Sequence, residues 1–193
     1  MLAMVTGPVR SGKSVFAESK VAAHGPRVLY VATFRRDPAD PEMEDRVRLH
    51  QRRRPAEWTT LEAPEDPAAA LAGVADDHDA LLLDCLAVLV GNWVWEAAPL
   101  APDASVAPAP VVARAHALAD ERLGSLLQAL SRLCCPAVVV TNEVGWGVVP
   151  PTPLGRLFRD VLGRCNQRMA AAADEVHLLV SGIPLRIKPG AAT

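Results

Sequence analysis

The sequence predicts an α/β fold, a mostly parallel sheet between two layers of helices, and three observations carry that prediction. Apolar runs of five or six residues without polar alternation recur along the chain, as in strands buried on both faces. Between them lie stretches long enough for crossover helices, three of them opened by Asp-Pro or Thr-Pro pairs, which cap a helix and place proline at its first position. Half of the 193 residues are hydrophobic and 22% are charged, which suits a packed core and excludes a disordered or collagen-like chain. At 20.5 kDa, one domain over 1-193 is expected.

Each element has its own signal. Leu2-Ala3-Met4-Val5-Thr6 reads as a buried strand ending at Gly7, and residues 14–23 as a helix. Val28 to Thr33 is a second strand, followed by a polar loop and a helix capped by Asp40, with Pro41 at its first position, running to about Arg53. Asp66-Pro67 opens another helix, and Ala80-Leu81-Leu82-Leu83-Asp84 is a strand that ends in an acid. Pro99, Pro102, Pro108 and Pro110 stand among small residues, so 97-110 is expected to be a loop. A helix over 111–133, a strand over Ala137 to Thr141, and a helix capped by Thr152-Pro153 and reaching Ala173 come next. Val176 to Val180 and the run Leu185-Arg186-Ile187 close the chain with a short C-terminal hairpin. Parallel strands need crossovers and helices supply them.

Composition narrows the function. A net charge of -2 and a pI near 6.2 give no global attraction to nucleic acid or anionic membrane, so a polyanion site has to be built locally. No apolar stretch reaches the roughly 20 residues that span a bilayer, so no transmembrane segment is expected. Met1 to Thr6 carries no basic leader and does not read as a signal peptide. Cys85, Cys134, Cys135 and Cys165 contain no C-x-x-C pair and are expected to be reduced, mostly buried thiols. A cytoplasmic protein fits these features.

Gly7-Pro8-Val9-Arg10-Ser11-Gly12-Lys13-Ser14 satisfies G-x-x-x-x-G-K-[ST] between an expected strand and an expected helix, the context that this phosphate-binding motif needs. Shuffled chains of this composition would give it roughly once per thousand. The fold expected is therefore of the P-loop NTPase type, in three layers. Loop amides and the helix dipole cradle phosphates, Lys13 reaches the β- and γ-phosphates, and the Ser14 hydroxyl ligates Mg²⁺. Asp84, at the end of its strand, is the candidate second acid for the metal.

Arg46, His50, Arg53 and Arg54 fall on neighbouring turns of one side of the expected helix. Five arginines stand among the nine residues 46–54. A nucleic-acid platform fits poorly, because the chain has 3 Phe, 4 Trp and 1 Tyr and none interleaves with the arginines. A clamp on a triphosphate fits better, since guanidinium binds phosphate oxygens through two parallel bonds. Neighbouring positive charge favours a neutral His50, and a neutral imidazole is a nucleophile that can attack the α-phosphorus and release pyrophosphate. Spacing alone leaves a structural His50 open.

The sequence resembles the bifunctional adenosylcobinamide kinase/adenosylcobinamide-phosphate guanylyltransferase family of cobalamin biosynthesis. The resemblance runs through Thr6 to Ser14 with Ala17-Glu18, Leu29 to Thr33, Glu42-Met43 with Arg46 and His50, and Arg54-Pro55 with Trp58, Thr60 and Glu62. It continues through Leu82 to Cys85, Val139 to Gly145, Val148 to Pro150, Phe158 to Asp160, Asn166 to Ala170, Asp174 to Val176, and Ser181 to Ile183. It implies a transferase that phosphorylates adenosylcobinamide with ATP or GTP, then transfers GMP from GTP to give adenosylcobinamide-GDP. His50 falls on the position that the family guanylylates. Gly7 to Ser14, Ala32, Thr33, Phe34, Gln51, Arg52, Arg53, Arg54, Glu62 and Asp84 fall on its nucleotide-contacting positions. The resemblance also implies a homo-oligomer, trimers among the family's forms. Phe34 replaces a small or polar residue of the family pattern, Pro38 and Pro41 lengthen the loop before the arginine helix, and Asp84 stands where some members carry glutamate.

Two other readings stay open on the residues. One is a P-loop small-molecule kinase with a structural His50. The other is a non-catalytic GTP-binding module, against which the strand over Ala137 to Thr141 ends in Thr141-Asn142-Glu143-Val144 rather than an N-K-x-D guanine reader.

Overall fold

A computed structural model of the chain describes residues 1–35, 54–74, 77–101 and 104–189. The expected helix from Asp40 and Pro41 to Arg53, and with it His50, Gln51, Arg52 and Arg53, lies outside the described residues. Within them the elements are β1 (Leu2–Thr6), α1 (Lys13–Ala22), β2 (Val28–Ala32), β3 (Thr59–Glu62), α2 (Pro67–Leu71), β4 (Ala80–Asp84) and α3 (Leu86–Ala97). These are followed by α4 (Ala109–Ser131), β5 (Ala137–Val140), α5 (Pro153–Ala172), β6 (Glu175–Val180) and β7 (Ile183–Lys188).

The strands form one sheet in the order β3-β2-β4-β5-β1-β6-β7. The first six run parallel, and β7 returns antiparallel to β6 through the turn Ser181-Gly182. The apolar runs in β1, β2, β4 and β5 are buried because both sheet faces are covered. On one face Ala17 and Val21 of α1 pack on Ala3, Val5, Val28, Tyr30, Leu82 and Val138. On the other, Met4, Leu29, Val31, Leu81, Leu83 and Val139 meet α3, α4 and α5. Among the described residues no helix is long and apolar enough to cross a membrane.

Local signals hold where they were written into the sequence. Asp66 caps α2 by accepting from the Ala69 N–H at 3.0 Å, and Thr152 caps α5 by accepting from the Gly155 N–H at 3.1 Å. Of the 97-110 segment, residues 98–101 and 104–108 are in the loop between α3 and α4, whereas Ala97 ends α3 and Ala109-Pro110 begin α4. Two elements carry no such signal. α3 is apolar nearly all round and opens on Cys85 rather than on a Ser, Thr, Asp or Asn cap, so it shows neither helical periodicity nor a start. β3 is a short, mostly exposed edge strand, Thr59-Thr60-Leu61-Glu62, without an apolar run.

The cysteines correct one expectation. None of the four is in a disulfide, but only Cys165 is buried, Cys85 and Cys135 are half-buried, and Cys134 is exposed. Cys134 and Cys135 follow α4 in the turn before β5, where the chain runs at the surface.

Candidate active site

The site lies where the parallel strands end, the edge at which open α/β sheets bind ligands. Register builds a row across it. Glu62 of β3 pairs with Ala32 of β2, Ala32 with Asp84 of β4, and Asp84 with Val140 of β5. Val140 pairs in turn with Val5 of β1, two residues before Gly7.

From there the chain turns tightly into α1. Gly7 has φ +148°, and a Cβ on it would sit 2.4 Å from the Leu179 carbonyl oxygen. Gly12 caps α1 in a left-handed conformation at φ +92°. Such turns direct successive amides into one concavity at a helix N-terminus. Lys13 is buried, and its Nζ donates to the Pro8 carbonyl at 2.6 Å and to Ser11 Oγ at 3.5 Å. Burial lowers its pKa, opposed by the nearby negative charges that Cys85 and Asp84 can carry. Ser14 follows in the first turn of α1. The loop is buttressed from outside, since the Gly182 N–H at the β6–β7 turn donates to the Ser11 carbonyl at 2.9 Å.

Asp84 is held from below. The Tyr30 hydroxyl donates to Asp84 Oδ2 at 3.0 Å, and burial, then the charge of Asp84, push the phenol's pKa upward so that it keeps its proton. The next residue is fixed as well. The Cys85 N–H donates to Thr33 Oγ1 at 2.9 Å, and that hydroxyl donates to the Cys85 carbonyl at 2.8 Å. The Cys85 thiol is pushed up to about 12, mainly by burial and then by the charge of Asp84, which removes it as a nucleophile at neutral pH. Asn92 of α3 donates to the carbonyls of Thr33 at 3.0 Å and Pro64 at 2.7 Å, tying the ends of β2 and β3 together.

The structure thus gathers Gly7 to Ser14, Ala32, Thr33, Phe34, Glu62 and Asp84 along one edge. Arg54 is placed differently from a loop contact: its guanidinium lies over the Tyr30 ring, with Cζ 3.3 Å from the centroid. Sequence reasoning gave no role to Tyr30, Asn92, Glu143 or the Ser181-Gly182 turn. Glu143 follows β5, accepts from Thr6 Oγ1 at 2.8 Å, and its N–H donates to the Gly7 carbonyl at 3.0 Å. A polar residue just past a buried strand was the available signal for it.

Ser14 and Asp84 offer a hydroxyl and a carboxylate, the hard oxygen donors that suit Mg²⁺. This ion takes one or two protein oxygens and completes its shell with substrate phosphates and water. The donor set fits.

Comparison with known proteins decides the family. The family model described as cobinamide kinase / cobinamide phosphate guanyltransferase matches residues 3–187. The chain belongs to this family. It is 41% identical over 188 residues to the bifunctional adenosylcobalamin biosynthesis protein CobU of Salmonella typhimurium, covering 97% of this chain and 100% of that one. The protein of the same description from Escherichia coli is 38% identical over 188 residues, with the same coverage. CobP of Pseudomonas aeruginosa, also described as a bifunctional adenosylcobalamin biosynthesis protein, is 36% identical over 185 residues, 96% of each chain. As a member of the cobinamide kinase / guanyltransferase family the chain is a transferase.

Proposed function

We propose that this chain phosphorylates adenosylcobinamide and then transfers GMP from GTP to adenosylcobinamide phosphate through a guanylylated His50, giving adenosylcobinamide-GDP. The observation that carries the reading is the phosphate loop, with Lys13 buried inside it, on the same strand-end edge as Asp84. In the kinase step the substrate hydroxyl oxygen bonds to the γ-phosphorus as the bond to the β-phosphate oxygen breaks, and the hydroxyl proton leaves. Lys13 and the loop amides balance charge on the phosphates. Ser14 and Asp84 would hold Mg²⁺, which supplies further neutralisation of phosphate charge when bound.

In the second step a ring nitrogen of His50 bonds to the α-phosphorus of GTP as pyrophosphate leaves, and Arg52, Arg53 or Arg54 balances the leaving group. An oxygen of the substrate phosphate then bonds to that phosphorus and frees the imidazole. Gly7, Pro8, Val9, Arg10, Ser11, Gly12, Ala32, Thr33, Phe34, Gln51 and Glu62 complete the proposed nucleotide contacts. One domain, assembly as a homo-oligomer such as a trimer, a cytoplasmic location and no nucleic-acid partner belong to the same reading.

Incubation with GTP labelled at the α-phosphate, followed by denaturation, tests it. Label is expected on the protein, stable in alkali and lost in acid, as a phosphorus–nitrogen bond behaves. His50→Asn should lose that label and guanylyl transfer while keeping much of the kinase activity, and Lys13→Ala should lose both activities. Equal loss of both in folded His50→Asn would overturn the assignment, and an unlabelled but active kinase would make His50 structural.

A further inference from the structure

Asp84 is the end of a chain of contacts that starts away from the phosphate loop. Tyr30 lies on the α1 face of β2, two residues before the register partner of Asp84, and is 2% exposed. Its hydroxyl donates to one carboxylate oxygen only, Asp84 Oδ2. Arg54 covers the ring, and its Nη1 donates to Thr60 Oγ1 at 3.3 Å on the neighbouring strand β3. Thr60 is itself the register partner of Tyr30. A ring at this position fills the layer under α1, and a phenylalanine would fill the same space. The hydroxyl therefore serves the acid rather than the packing. A carboxylate bonded through one oxygen is fixed in rotation and presents the other at a set place, as outer ligands do for metal-binding carboxylates.

We propose that Tyr30 is a positioning residue whose hydroxyl orients Asp84 towards the cation held with Ser14, and that Arg54 clamps the Tyr30 ring for this purpose. The proposal rests on the reading of Asp84 as the metal-facing acid. It also gives Arg54, the last member of the arginine run, a task at the acid.

Mn²⁺ is the probe, titrated by electron paramagnetic resonance against the full chain with a non-hydrolysable GTP analogue. Tyr30→Phe should weaken Mn²⁺ binding roughly tenfold to a hundredfold, the scale of one hydrogen bond to a charged group. Analogue binding in EDTA should be unchanged, and Arg54→Gln should weaken Mn²⁺ by a smaller factor. Asp84→Asn is the reference and should remove the strong Mn²⁺ site. Tyr30 is the chain's 1 tyrosine, so labelling with 3-fluorotyrosine gives a single fluorine resonance in the unmutated chain. That resonance should move when Mg²⁺ is added to the chain–analogue complex, and stay still in Asp84→Asn.

A weakened Asp84→Asn beside an unchanged Tyr30→Phe, or a fluorine signal indifferent to Mg²⁺, overturns the role of Tyr30 and leaves that of Asp84 standing. Unchanged Mn²⁺ binding in Asp84→Asn overturns both. Equal losses with and without metal in Tyr30→Phe make the phenol a scaffold group and overturn the proposal.

Discussion

Gly7 is the point in the site with least room. A Cβ there would meet a backbone oxygen, Leu179 O, at 2.4 Å, and the φ of +148° suits glycine alone. Gly7→Ala should cost about 2 kcal/mol or more, the range of overpacking with backbone strain, and should weaken nucleotide binding. Chemical denaturation and a nucleotide titration check the two effects. The loop was legible because most of its demands are met within eight consecutive residues: glycine at two of its three positive-φ positions, the third being Arg10 at φ +60°, lysine to face phosphate, and a hydroxyl on the first helical turn. Tyr30 was not legible, because its partner Asp84 lies 54 residues away and only the register of β2 on β4 brings them together. The arginine run was visible as charge, but Arg54 over Tyr30 depends on the edge strand β3, which leaves no apolar trace.

Among the elements, α3 shows how burial hides a helix. Periodicity reports a helix when one side faces water, and Leu86, Leu89, Val90, Trp93 and Val94 point instead into an interior that surrounds most of the cylinder. Its hold on the site is polar. Asn92 clasps the ends of β2 and β3, and the Trp93 indole N–H beside it donates to the Glu65 carbonyl at 2.8 Å. Trp93 is fully buried, so Trp93→Ala should destabilise by about 3–5 kcal/mol, with a further loss from the unpaired Glu65 carbonyl. A urea unfolding midpoint measures it. Helices with written caps, α2 and α5, were located from sequence within a residue or two because Asp66 and Thr152 bond their first turns directly.

Across the whole molecule, alternation of apolar strands with helices was enough to give a parallel sheet, since chemistry allows few other ways to bury such strands. The antiparallel return of β7 and the edge position of β3 depend on pairing, which composition does not encode. The β6–β7 end of the sheet carries a second group of buried charges, apart from Lys13. Glu175 pairs with Lys20 of α1, with His177 at 3.4 Å, and with Arg186 of β7 at 3.7 Å, while Phe16 of α1 lies 5.1 Å from the His177 ring. Burial alone would raise the Glu175 carboxyl, but its bond to Lys20 and the charges of Lys20 and His177 hold it below the usual value. Burial keeps His177 below its ordinary 6.5, outweighing the pull of Glu175. Both groups then bind fewer protons folded than unfolded, so the stability they give is present at neutral pH and lost in acid. The loss begins near pH 6.5 through His177 and continues as the pH falls through the lowered value of Glu175. Thermal melts from pH 7 to pH 4 should show a falling midpoint, and His177→Gln should remove the upper part of the fall. A midpoint that stays flat over this range would contradict the assignment.

The bond between the Gly182 N–H and the Ser11 carbonyl joins the first loop of the chain to its last hairpin. During synthesis the glycine turn is made long before the wall that shapes its outer side. A nascent chain would thus hold this loop unsupported until Gly182 emerges. Removing the Ser181-Gly182 turn should therefore leave the loop made but loose, its outer side open where the Ser11 carbonyl now has a partner.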